Sequence, residues 1–197
     1  MAKSGLFKVW LVGMANPSSF NYPCYGEGTM FAIGMKLKTM FNQICQHKSS
    51  TTFAAADYSW EPGVVSETDV VVYVCGTKEH GSIIKDKSGR AIHESASGGT
   101  YAYSGGMISE VYLRSFDGAL NFSDVAANII FHEIMHNKLD APKTKTVFNI
   151  HSQGGGGIAN AVVTAGSALT TTNISLMAGA LSKKVKQYTD EMQKALL

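Results

Sequence analysis

Two periodicities alternate along the chain. "LFKVWLVGM", Leu6 to Met14, is apolar and rich in Val, Trp and Phe, the composition of a buried strand. After a Pro/Gly/Asn-rich loop, Thr29 to Gln46 takes helical spacing. Met30, Gly34, Leu37, Phe41 and Ile44 recur on one side, with Lys36, Lys38, Asn42 and Gln43 opposite. "TTFAAADYSW" reads as a second strand. Asp69 to Cys75, "DVVVYVC", is apolar on both faces and belongs at the centre of a sheet. Gly76 to Gly99 turns polar and reads as a long surface loop with room for a short hairpin. "GTYAYSGGMISEVYLR" is extended chain with a bulge or bend at Gly105-Gly106.

A second helix opens near Asn121 or Ser123, either of which can cap it, with Asp124 suiting the dipole of its first turn. It should end near Asp140, because Pro142 disfavours helix at the residue before it. A last amphipathic helix is expected from Leu181 to Leu196, burying Leu181, Val185, Tyr188, Met192 and Leu196. The order of elements predicts a single α/β (α+β) domain with a twisted mixed sheet. The sheet and first helix occupy 1–120, the central helix 121–140, and an irregular segment with a C-terminal helix 141–197. A chain of 197 residues suits one such core.

Composition narrows the function classes. Net charge is +2 and the basic residues are scattered, with "SKKVKQ" the densest run, so no nucleic-acid stripe or membrane patch forms. No stretch approaches the ~18 apolar residues of a membrane span. The apolar run at the N-terminus is short for a signal peptide and reads better as a strand. The expectation is a monomer made in the cytoplasm without a signal peptide. Cys24, Cys45 and Cys75 are odd in number and irregularly spaced, and read as free thiols.

Within the central helix lies "HEIMH", His132 to His136. Residues four apart share a helix face, roughly 6 Å apart along the axis, so two imidazoles there can converge on one zinc ion. Glu133 beside them, not consumed as a ligand, is placed to act as general base on metal-acidified water. A chance match is disfavoured by the setting "VAANIIFHEIMH", where two unpaired histidines would be costly to bury.

With this motif the chain resembles the zincin metallopeptidases, and their metzincin branch in particular. The resemblance implies zinc as cofactor, a peptide or protein substrate, and an edge strand beside the cleft, where "GTYAYSGGMISEVYLR" occupies the matching place. "HEIMHN" shares the asparagine that often follows the second histidine. "ISLMAG" looks like a Met-turn, which would put Met177 beneath the metal. The metzincin glycine and third ligand would fall at Leu139 and Pro142, and neither fits.

Two substitutes remain open. Asp140, eight residues beyond His132, sits roughly 12 Å further along a straight helix and would bind only if the helix breaks near Asn137-Lys138. His151 lies past a loop long enough to return, followed by Gly154 to Gly157, which allow close backbone packing. A site of His132, His136 and His151 is favoured, with Asp140 then orienting a ligand. Tyr101, Tyr103 and Tyr112 are weaker candidates for oxyanion stabilisation. His80, His93 and Glu191 read as surface residues. The expected activity is zinc-dependent peptide hydrolysis. Alternatives are an exported effector hydrolase acting on a host protein or peptidoglycan, and an inactive binding protein on a zincin scaffold.

Overall fold

Strand, helix and loop assignments follow from a computed structural model, which describes residues 6–14, 25–47, 56–60, 64–77, 97–103, 106–139 and 148–187. Among the described residues the sheet has five strands: β1 (Phe7–Met14), β2 (Ala56–Ser59), β3 (Val70–Cys75), β4 (Gly98–Tyr103) and β5 (Gly106–Tyr112). Their spatial order is β2-β1-β3-β5-β4. All neighbouring pairs are parallel except β4, which runs antiparallel to β5 at the sheet edge. The all-apolar β3 is the middle strand and every residue in it is buried, as a two-sided apolar pattern requires. The segment read as one extended stretch is two strands, β4 and β5, paired antiparallel; Gly106 opens β5, and Gly105 lies outside the described residues.

Helix α1 (Glu27–Cys45) buries Met30, Gly34, Leu37, Phe41 and Ile44, the expected stripe, together with Ile33 and Met40. It packs beside helix α2 (Phe122–Leu139) on one sheet face, where Phe7, Phe41 and Phe131 stack at centroid separations of 5.0 and 5.1 Å. The opposite face carries a smaller cluster of Trp10, Val12, Val71, Tyr73, Cys75, Ile108 and Tyr112. Cys45 and Cys75 are free thiols, as expected, while Cys24 lies outside the described residues. Among the described residues no helix is long and apolar enough to cross a membrane.

Beyond α2 the structure departs from the sequence reading. The segment expected to be irregular holds a one-turn helix, α3 (Ile150–Gln153), and a full helix, α4 (Thr171–Ala180). Met177 lies inside α4, wholly buried in the main core, and not in a turn. The predicted C-terminal helix does not begin at Leu181. Residues 182–187 are non-helical because tertiary pairing overrides the local period: Val185 N donates to Glu67 O at 2.7 Å and Met107 N to Lys186 O at 2.8 Å. This run buries Leu181 and Val185 as the pattern asked, while Tyr188, Met192 and Leu196 lie outside the described residues.

Candidate metal centre

Helix α2 is apolar on most of its surface, yet it buries five polar side chains: Asn128, His132, Glu133, Asn137 and Lys138. Burying such groups is costly unless each is hydrogen-bonded. Asn128 Nδ2 donates to the carbonyls of Thr164 and Ser167, both at 2.9 Å, and so pins the 161–167 segment against the helix. Lys138 Nζ donates to Thr68 O at 2.6 Å and Lys183 O at 2.8 Å, joining the helix end to the start of β3 and the C-terminal run. Burial pulls its ammonium down to about 7, opposed by the nearby Asp69 carboxylate. The buried polar residues of α2 thus fasten the segments around it, and two of them, His132 and Glu133, face one site together with the half-buried His136.

The Nδ1 atom of His132 lies 2.7 Å from the carbonyl oxygen of Ile158. A carbonyl only accepts, so Nδ1 carries the proton and Nε2 presents its lone pair. The Ile158 carbonyl is held in place by its glycine-rich approach. Gly155, Gly156 and Gly157 have φ of 79°, 72° and 61°, in the left-handed region where a side chain is strained. Asn173, fully buried on α4, donates to Gly154 O at 2.6 Å and Gly156 O at 3.1 Å. It also completes a reciprocal capping box with Thr170 at the start of α4.

His151 arrives on α3. Asn149 caps that turn by accepting from His151 N at 2.9 Å, Ile150 is its wholly buried anchor, and Gly154 N closes it onto Ile150 O. The turn directs the His151 ring toward α2. Its Nε2 is 3.0 Å from His136 Nε2, which is in turn 3.1 Å from His132 Nε2. The three ligand atoms lie within 4.8 Å of one another. Imidazole nitrogens bonded at ~2.0–2.1 Å to one tetrahedral ion stand roughly 3.3 Å apart, close to the His132–His136 and His136–His151 separations, so the three imidazoles could hold a single metal ion. The three residues grade from buried His132 through half-buried His136 to exposed His151, so the cluster opens to one side. Asp140, the alternative third ligand, lies outside the described residues, as do His80, His93 and Glu191.

Glu133 is buried and lies on the side of α2 that faces β4 and β5. Its Oε2 accepts from the Thr100 hydroxyl at 2.7 Å. The cleft around it, about 730 Å³, is walled by β4 from Gly98 to Tyr101 on one side and by 161–164 on the other. His132, Glu133, His136 and His151 all line it, as do the apolar Ile129 and Phe116.

Among the tyrosines, Tyr112 turns away from the site. It lies in the core cluster of the opposite sheet face and donates to Glu110 Oε2 at 2.9 Å. Burial, reinforced by Glu110, pushes its phenol up, so it stays protonated. Tyr101 pairs with Ile108 and packs against the same cluster while reaching the cleft margin, and Tyr103 is the last residue of β4. Sequence reasoning missed Thr100, Ile158 and Asn173, which hold the site residues in place. No protein-family model, curated protein or solved structure matches the chain.

Proposed function

We propose that the chain is a zinc-dependent metallopeptidase. The observation that carries this reading is the convergence of three imidazole Nε2 atoms in one cleft with a buried carboxylate next to them in sequence. Three neutral histidines suit zinc, and a site exposed on the His151 side leaves a position for water or substrate, as catalytic sites do. Zinc held there would acidify water and polarise a scissile carbonyl.

The chain's own groups supply the rest. The Ile158 carbonyl orients His132 so that Nε2 points to the centre. The Glu133 carboxylate takes the proton from the attacking water and returns it to the leaving amine, as a general base then acid. β4 is an edge strand whose residues line the cleft, and edge backbone can pair with an extended peptide.

Hydrolysis of fluorescein-labelled casein by zinc-loaded protein tests the reading. Glu133→Gln should keep its zinc and lose activity by about 10²–10⁴-fold, the usual worth of a general base. Equal hydrolysis by that variant would sink the proposal.

A further inference from the structure

The hydrolytic reading gives Glu133 a proton-transfer role but does not say what fixes its carboxylate. A glutamate has three side-chain torsions, and losing their freedom at the moment of reaction would slow it. The geometry points to β4 as the element that sets this carboxylate, with Thr100 and Gly98 as positioning residues. The inference rests on the metallopeptidase reading.

Gly98 and Thr100 alternate on β4 and so project from the same face of the sheet, toward α2. They flank the two carboxylate oxygens. Thr100 Oγ1 is 2.7 Å from Oε2, within the short range of a hydroxyl bound to a charged oxygen. On the other side, a Cβ added to Gly98 would stand 2.7 Å from Glu133 Oε1 and 2.9 Å from its Cγ. No side chain fits at position 98 while Glu133 holds this rotamer. One residue binds the carboxylate; the other leaves it room.

Thr100 is itself held by a buried polar group that no catalytic step uses. Its Oγ1 is 3.0 Å from Ser109 Oγ on the paired strand, and because the single Thr100 proton goes to Glu133 Oε2, the Ser109 hydroxyl donates to it. Ser109, wholly buried, accepts from Asn137 Nδ2 at 2.9 Å. Asn137 and Gln187 exchange reciprocal amide bonds of 3.0 and 2.9 Å, and Gln187 Oε1 also accepts from Val71 N at 3.3 Å. A row of polar side chains thus runs through the apolar core from the C-terminal run to Glu133. Such a row is expensive unless every member is satisfied, and when satisfied it makes its members rigid. Thr100 stands at its end, against the carboxylate.

The test compares zinc-loaded wild type, Thr100→Val, Thr100→Ser and Gly98→Ala. Thr100→Val keeps the shape and removes the hydroxyl. It should bind zinc as wild type does, with kcat on labelled casein lowered about tenfold to a hundredfold and KM little changed. Thr100→Ser should recover most of that loss, which a purely steric role for Thr100 would not allow. Gly98→Ala should lower kcat as well. Crystal structures of wild type and Thr100→Val give a readout that needs no activity: the Glu133 carboxylate should leave its wild-type position. Wild-type turnover by Thr100→Val, or an unmoved carboxylate in its structure, would overturn the inference. A wild-type protein that cleaves nothing would defeat the peptidase reading, and the crystallographic comparison would then decide the positioning role by itself.

Discussion

His136 and His151 hold their Nε2 atoms 3.0 Å apart across fifteen positions of sequence. One ring stands on a long helix, the other on a single capped turn whose buried Ile150 fixes its direction. The metal reading depends on this meeting, because a helix alone offers two ligands and a catalytic site takes three.

His151→Ala should therefore weaken zinc binding by more than about a hundredfold, since even outer partners of ligands are worth about 10–100-fold. Competition with a chromophoric chelator measures it. Lowering the pH should release the metal from the wild type, because protons compete for the imidazole lone pairs. Wild-type affinity in His151→Ala would remove this residue from the site.

Asn173 stabilises two things at once, the start of α4 and the glycine-rich approach to Ile158. Asn173→Ala should lower unfolding free energy by about 2–4 kcal/mol, combining a lost cap with buried carbonyls left without their donor. It should also weaken zinc binding through His132, whereas Thr170→Ala should cost about 1 kcal/mol and leave zinc affinity near that of wild type. Urea unfolding and the chelator assay read the two effects separately.

Asn137 and Gln187 form a closed amide pair inside the core. Replacing either by Ala leaves the other buried without its partner, at about 1–3 kcal/mol. The double variant should lose less than the sum of the singles, because residues in one network are coupled. An additive result in urea denaturation would show that the pair acts as two independent residues.

Four extended segments and the two long helices could be read from periodicity, but the pattern did not divide the last segment into the two antiparallel strands β4 and β5. β3 is apolar throughout, α1 carries one stripe, and the bend between β4 and β5 is marked by glycine. α4 escaped notice because "TTNISLMAGA" is made of small residues with no clear polar face. Its one signal was the Thr170/Asn173 cap, where the usual third-position residue is Glu or Gln. The Leu181-to-Val185 spacing suited a helix, but pairing with Glu67 and Met107 drew the chain out instead. Within the site, "HEIMH" named its own residues, and the glycine run pointed to close packing near His151. Thr100 carried no local signal. Its meaning comes from the register that sets β4 beside α2, a relationship between elements far apart in the chain.

Zinc K-edge X-ray absorption on the zinc-loaded protein tests the central claim most directly. The account predicts three imidazole scatterers at ~2.0–2.1 Å and one light oxygen ligand from solvent, for an open four-coordinate ion, with one imidazole lost in His151→Ala. A protein that retains no zinc, or a spectrum showing two imidazoles in wild type and no change in His151→Ala, would contradict it.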